Sequence, residues 1–164
     1  MNAIEAILAT AATSDMVLKS YVGDLTDADL MRRPHKGCNH VAWQLGHLIT
    51  AECSLLEVIR PGAAPDLPEG FAEKHSKETV GDDDPSHFCS RDEYLELYDK
   101  VRAATRDALG KMTDADLDKP NTNERFAKTF PTIGSMCVLD ATHPLMHVGQ
   151  FVPVRREAGK PVVI

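Results

Sequence analysis

Hydrophobic residues recur at intervals of three and four along most of the chain, which is the period of an amphipathic α-helix. Four long segments carry this pattern and predict helices over residues 2–22, 39–59, 90–112 and 131–157. No segment shows the convincing alternation of apolar and polar residues that indicates a half-buried strand. The sequence therefore predicts an all-α fold.

Local signals mark where three of these helices begin. "SRDE" at residues 90–93 is a capping box, in which the serine oxygen accepts from a first-turn N–H and the glutamate reaches back to the serine. Asn39 is of a type that caps helix N-termini and is the expected cap of the second helix. Pro131 is expected in the first turn of the fourth helix, where a missing N–H costs no hydrogen bond.

A short element occurs twice in the chain. "LTDADL" at residues 25–30 and "MTDADL" at residues 112–117 each follow one long predicted helix and precede another. In both copies the threonine can cap a short additional turn. A helix pair used twice predicts a four-helix bundle with a long crossover between the second and third helices. The length of 164 residues is that of one domain, and we expect residues 1–164 to form it.

The crossover between the second and third helices, residues 60–89, is rich in proline, glycine and acidic residues. A connection of this length is uncommon in a compact domain and is typically functional or mobile. It either wraps the end of the bundle as a lid or forms a solvated linker without a role.

Charge and composition exclude several classes of protein. The chain has 25 acidic and 18 basic residues, a net charge of −7, whereas a nucleic-acid-binding protein needs a basic surface. No run of about 18 apolar residues is present, so no membrane span is predicted. The N-terminus lacks the basic start of a signal peptide, and the four cysteines form no C-x-x-C pair. We therefore expect a cytoplasmic protein with reduced thiols.

The first candidate chemistry lies in "DATHPLMHVGQ", residues 140–150. His143 and His147 are one helical turn apart, on the face that also carries apolar residues such as Phe151. Two imidazoles with this spacing can bind one metal ion, as they do in zinc-binding H-x-x-x-H helices. The alternative is a pair of histidines that hydrogen-bond to other groups of the protein. Pro144 lies between the two histidines, has no N–H to donate to the Asp140 carbonyl, and is expected to kink the helix there.

A third metal ligand is offered by His47 in the middle of the second helix. It lies at the edge of the apolar stripe, beside Trp43 and Gln44, and such an edge faces a neighbouring helix in a bundle. Trp43 and Gln44 are therefore the expected lining of a pocket. The other four histidines are expected to be exposed: His35, His40, His75 and His87.

Three further polar residues lie on the faces that carry these histidines. Glu52 occupies a position of the second helix where leucine or isoleucine would be expected, and Asp140 and Gln150 share the face of the histidine pair. They are candidates for a further metal ligand or for an acceptor that orients a ligating imidazole. The alternative for each carboxylate is an ion pair with a basic residue such as Arg155 or Arg156, because an unpaired buried charge is strongly unfavourable.

The motifs W-x-x-x-H-L (residues 43–48) and H-x-x-x-H-x-G-Q (residues 143–150) resemble those of the DinB/YfiT superfamily, as does the L-T-D-A-D-L element before the second helix. This resemblance covers most of the chain and implies a four-helix bundle with a long crossover. It also implies that His47, His143 and His147 are ligands of a divalent metal, with water in the remaining positions. The proline between the last two histidines departs from the commoner pattern of the family.

The resemblance implies zinc or nickel first, with manganese or iron in some members. Characterised relatives transfer or rearrange low-molecular-weight thiols, among them bacillithiol and mycothiol transferases and a mycothiol-dependent maleylpyruvate isomerase. The main hypothesis is therefore a metal-dependent thiol S-transferase or hydrolase with a small-molecule substrate. The resemblance also implies a homodimer, the oligomeric state common in the family. The alternative is a non-catalytic, stress-associated bundle that binds a metal or a small ligand. A fourth protein ligand such as Glu52 would favour this alternative.

Overall fold

A computed structural model of the protein describes residues 1–163. Within them the fold is all-α, as predicted, and the only β-type pairing is one antiparallel bridge between Pro120 and Thr132. This part of the chain has seven α-helices: α1 (Ala3–Val22), α2 (Asp27–Leu30), α3 (Val41–Ile59), α4 (Phe71–Lys74), α5 (Arg91–Gly110), α6 (Asp114–Leu117) and α7 (Ile133–Glu157). None of them combines the length and the apolar character that crossing a bilayer requires.

Four of these helices are long, and they pack around a common interior. Helix α1 packs against α5 and α7, and α3 packs against the same two helices, so the four form a closed ring. Their apolar stripes meet in two clusters of buried side chains, one around Tyr98 and Phe151 and the other around Leu109 and Met136. Removal of this apolar surface from water is the main force that holds the ring together.

The start of α5 is predicted correctly, and that of α7 is not. The Ser90 N–H donates to Glu93 Oε2 at 2.8 Å, which closes the expected capping box. Helix α7 is capped by Thr132, whose Oγ1 accepts from the Ser135 N–H at 3.1 Å, so Pro131 lies before the helix and not in its first turn. The helix then continues through its two internal prolines.

The cap of α3 is His40 and not Asn39. The Trp43 N–H donates to His40 Nδ1 at 3.0 Å, and His40 Nε2–H donates to the Asp82 carbonyl at 3.1 Å. Because both ring nitrogens have partners, the side chain is buried without an unsatisfied polar group, and the prediction that it is exposed is wrong.

The repeated element forms a short helix in each copy, as predicted. Helices α2 and α6 each consist of the four residues D-A-D-L, and the preceding threonine is the N-cap. The Thr26 N–H donates to Asp29 Oδ2 at 3.0 Å, and the Thr113 N–H donates to Asp116 Oδ2 at 2.8 Å. Each turn is therefore stabilised by residues of its own segment.

The crossover, residues 60–89, packs against the long helices and is not a solvated linker. His75, expected to be exposed, is 3% exposed. Its Nδ1–H donates to the Phe71 carbonyl at 2.7 Å, and its Nε2 accepts from the Tyr94 hydroxyl at 2.7 Å. Both ring nitrogens are thus satisfied inside the protein. His35 and His87 are exposed, as predicted.

A glycine in the middle of α3 makes room for this imidazole. A Cβ atom at Gly46 would lie 2.0–2.2 Å from three atoms of the His75 ring. The ring cannot move aside without losing its hydrogen bonds to Phe71 and Tyr94. Packing against the crossover, and not backbone conformation, therefore requires glycine at this position.

Replacing Gly46 with alanine is expected to lower the free energy of unfolding by about 1–3 kcal/mol, because the added methyl group overpacks the contact with His75. Urea unfolding followed by circular dichroism measures the change. Gly149→Ala is the matched control, since Gly149 is also a helical glycine but has open space around its Cβ position. We expect that control to be stabilised by up to about 1 kcal/mol through helix propensity alone. Equal stabilisation of both variants would contradict the packing explanation.

Candidate metal centre

Three histidines from two helices meet at one point. His47 comes from α3, and His143 and His147 come from α7. One ring nitrogen of each lies within 4.8 Å of the other two, and the Nε2 atoms of His143 and His147 are 3.3 Å apart. The structure therefore brings together the three residues that the sequence pattern singled out, and we call them the histidine cluster.

A buried glutamine holds one ring of the histidine cluster. His147 Nδ1–H donates to Gln44 Oε1 at 3.0 Å, and Gln44 Nε2 donates to the Asn39 carbonyl at 2.7 Å. This arrangement assigns the proton of a neutral His147 to Nδ1 and leaves the lone pair of Nε2 facing His143. A hydrogen bond of this kind is the usual means of orienting a ligating imidazole.

A stacked tryptophan holds a second ring. The rings of Trp43 and His47 are 5.1 Å apart between centroids and only 6° from parallel. Trp43 Nε1–H in turn donates to the Ser76 carbonyl and to Thr79 Oγ1, each at 3.1 Å. The crossover therefore contributes to the position of His47 through Trp43.

The imidazoles of the cluster are neutral near pH 7. Burial lowers the pKa of His143 to about 4 and that of His147 to about 3, and the neighbouring imidazoles add to the shift. Burial also lowers the pKa of His47, with a smaller contribution from the positive charge of Arg125. Neutral imidazoles have the free lone pair that binding to a metal requires.

The histidine cluster borders a cleft of about 400 Å³, which we call the histidine cleft. Its walls are formed by α3, α7 and the loop of residues 121–131, and both His47 and His143 lie in them. No residue of the crossover lines it. Trp43 and Gln44 do not line it either, contrary to prediction. Both side chains are buried, and their N–H groups donate to the carbonyls of Ser76 and Asn39 in the interior.

Gln150 does not hydrogen-bond to the histidine cluster in the structure. Its side chain is exposed and makes no hydrogen bond within residues 1–163. A helical wheel places Gln150 on the same face of α7 as the histidines. That face is exposed to solvent near the end of the helix, since Met146, one turn before Gln150, is 62% exposed.

Glu52 and Asp140 belong to a buried ion cluster and not to the histidine cluster. Each long helix contributes one of its members: Asp15, Glu52, Arg102 and Asp140. Arg102 lies at its centre. Its Nε is 2.6 Å from Asp15 Oδ1, and its Nη1 is 3.2 Å from Glu52 Oε1 and 3.6 Å from Asp140 Oδ2. The ion-pair alternative is therefore the one observed, but the arginine comes from α5 and not from the end of α7.

The carboxylates of the ion cluster are unequally satisfied. Glu52 Oε1 also accepts from the Thr105 hydroxyl at 2.6 Å, and Asp15 Oδ1 accepts from the Tyr98 hydroxyl at 3.0 Å. Neither oxygen of Asp140 has a hydrogen-bond partner within the described residues. Burial raises the pKa of both Glu52 and Asp140, and the charge of Glu52 raises that of Asp140 further.

The spacing and the chemistry of the histidine cluster fit a divalent metal ion. Two imidazole nitrogens bound at about 2.0–2.1 Å to one tetrahedral ion lie about 3.3 Å apart. The Nε2 atoms of His143 and His147 already have this separation. Imidazole suits zinc, nickel, iron and copper, and no carboxylate or thiol belongs to the group. Three histidine ligands leave coordination positions for other molecules.

Fold and site together define a helical protein with a candidate metal centre between two of its long helices. The family model of the DinB superfamily matches residues 11–151, a range that includes all three histidines. The chain therefore belongs to the DinB superfamily. No match is found among curated proteins.

Replacing Gln44 with leucine is expected to weaken zinc binding about 10–100-fold, because the hydrogen bond that orients His147 is lost. Competition with a zinc-binding dye measures the affinity, and a melt of the metal-free variant reports any change in stability. Gln150→Leu is the matched control and should bind zinc as the wild type does. Unchanged affinity in Gln44→Leu would show that His147 does not need this partner.

Proposed function

We propose that the protein is a divalent-metal-dependent enzyme that transfers low-molecular-weight thiols or hydrolyses a small substrate. The observation that carries this proposal is a cluster of three neutral imidazoles, two of which, His47 and His143, lie in the wall of an open cleft. Sites that bind a metal for structure are usually closed by four protein ligands, whereas catalytic sites keep a position open. Membership of the DinB superfamily is consistent with this interpretation.

His47, His143 and His147 would hold the metal, and zinc or nickel is expected first. When bound there, such an ion lowers the pKa of a thiol or a water and so supplies a nucleophile at neutral pH. The rest of the chain keeps the imidazoles in place. Gln44 holds the Nδ1 proton of His147, and Trp43 stacks on His47.

The cleft provides the space for a substrate beside these histidines. Apolar side chains such as Phe130 and Leu139 form much of its lining, with the hydroxyl groups of Thr50 and Ser54 among them. Apolar walls exclude water from part of a bound molecule and favour a substrate with a hydrophobic portion. The ring of four long helices is, in this proposal, a four-helix bundle of the DinB type. The homodimer and the cytoplasmic location remain predictions.

A screen of the metal-loaded protein tests this proposal. Zinc- and nickel-loaded samples are incubated with glutathione, cysteine or 2-mercaptoethanol and an electrophile such as monobromobimane, and separately with p-nitrophenyl acetate. We expect faster thiol alkylation or ester hydrolysis than with the metal-free protein, and no acceleration with His47→Ala. Bound metal without acceleration of any reaction would instead support the non-catalytic binding protein.

A further inference from the structure

The loop before α7, residues 121–131, is a closed structure that faces the histidine cleft. The Asn121 N–H donates to the Pro131 carbonyl at 2.9 Å, and Asn121 Nδ2 donates to the Phe130 carbonyl at 2.8 Å. The bridge between Pro120 and Thr132 joins the two ends. The loop therefore has a defined conformation and presents particular side chains to the cleft.

One of these side chains is an arginine without an ionic partner. Arg125 lines the histidine cleft together with His47 and His143. Its guanidinium lies over the ring of Phe126, 5.0 Å from the centroid. No carboxylate lies within 4.0 Å of it among residues 1–163, whereas Arg33, Arg91, Arg102 and Arg155 each pair with an aspartate. Its donors are available to a molecule in the cleft.

The remainder of the cleft lining carries no charge near pH 7, because its two histidines are neutral. Leu55, Phe130, Leu139 and Met146 form an apolar wall between the loop and the two helices. Arg125 is thus the only permanently charged side chain among the lining residues. It borders the same cavity as His47 and His143 of the histidine cluster. One guanidinium beside an apolar wall matches a monoanion that carries a short hydrocarbon chain.

We propose that Arg125 is a specificity-determining residue, which selects substrates that carry a carboxylate at one end of a short apolar chain. The carboxylate accepts hydrogen bonds from the guanidinium, and the chain packs against the apolar wall. The other end of the substrate then lies at the histidine cluster. This assignment of the substrate class rests on the proposed function, because it takes the histidine cleft to be the substrate site.

Binding to the metal-free protein isolates the role of Arg125. Hexanoate and 1-hexanol are titrated separately, and binding is followed by the Arg125 Nε–H and cleft amide signals in ¹H–¹⁵N NMR spectra. We expect hexanoate to bind about tenfold more tightly than hexanol, since only hexanoate can bond to the guanidinium. The preference should be lost in Arg125→Met and partly retained in Arg125→Lys. Lys128→Met, a change of a nearby exposed cation outside the lining, should leave it intact.

Two outcomes would overturn this proposal: an equal affinity for the two ligands in the wild type, or a preference for hexanoate that survives in Arg125→Met. A second titration, of zinc-loaded protein with 6-mercaptohexanoate and 6-mercaptohexanol, separates it from the proposed function. A preference for hexanoate that depends on Arg125, without any zinc-dependent binding of either thiol, would support the carboxylate subsite and contradict thiol chemistry. Zinc-dependent binding of both thiols with equal affinity would support thiol chemistry at the metal and contradict the carboxylate subsite.

Discussion

Arg102→Met is expected to lower the free energy of unfolding by about 3–5 kcal/mol, since it removes the buried cation that lies among three buried carboxyl groups. Arg102 is 1% exposed and pairs with residues from α1, α3 and α7. Methionine fills much of the same volume, so the expected loss comes mainly from the uncompensated charges of Asp15, Glu52 and Asp140. Urea unfolding at pH 7.5 measures it.

Arg106→Met is the matched control for this prediction. Arg106 Nη1 is also 2.6 Å from Asp15, but its side chain is 43% exposed. An exposed ion pair contributes little, and we expect a change within about 1 kcal/mol. If the two variants were equally stable, the buried ion cluster would not be a significant source of stability.

The effect of Arg102→Met should depend on pH. Burial already raises the pKa of Glu52 and Asp140, and the positive charge of Arg102 opposes that shift. Without this charge both carboxyl groups should have a still higher pKa in the folded state than in the unfolded chain. Their ionisation then destabilises the variant as pH rises through the folded-state pKa, and the loss is relieved as pH falls towards about 4. The stability gap from the wild type should therefore be smaller at pH 5 than at pH 7.5.

His47→Ala is expected to abolish the stabilisation of the protein by zinc. A ligand that binds only the folded state at 100 times its Kd adds about 2.7 kcal/mol to the free energy of unfolding. We expect an increase of this order in the wild type and almost none in the variant, because the remaining two histidines lie on one helix and hold the ion weakly. Thermal melts with and without zinc at pH 7.5 measure the difference.

His35→Ala serves as the control for the zinc melts, because this histidine is exposed and its Nδ1–H donates to the neighbouring Lys36 carbonyl, away from the histidine cluster. It should be stabilised by zinc as much as the wild type is. The same stabilisation in His47→Ala would mean that zinc binds elsewhere on the protein.

Local signals in the sequence predict much of the fold. The capping boxes at Ser90 and in the two T-D-A-D elements involve residues within one turn, so the pattern alone is sufficient. The periodic spacing of apolar residues gives the four long helices for the same reason. The caps at His40 and Thr132 were missed because a histidine is an uncommon cap and because Pro131 is a strong competing signal.

Helical wheels predict which face a residue occupies but not what it meets across the interior. They place His47, His143 and His147 on inward or interfacial faces, and the structure brings them together. They also reveal Glu52 and Asp140 as charged residues on apolar faces, yet a wheel of one helix does not show that the partner of both is Arg102 on α5. Asp15 and Arg102 interrupt apolar stripes in the same way, and this signal could have indicated the ion cluster.

Two features depend on contacts between segments that are distant in sequence. His75 lies in the crossover and was expected to be exposed, but the gap at Gly46 on α3 receives its ring. A glycine in the middle of an otherwise apolar helix was the available signal. Arg125 faces the histidine cleft because its loop closes on itself, and no periodic pattern marks such a loop.

The central claim is that His47, His143 and His147 together bind one divalent metal ion. A crystal structure of the zinc-loaded protein, with anomalous diffraction recorded at the zinc edge, tests it most directly. The predicted result is one anomalous peak per chain, about 2.0–2.1 Å from one nitrogen of each of the three imidazoles. A histidine cluster without a peak, or zinc held by other residues, would contradict the claim.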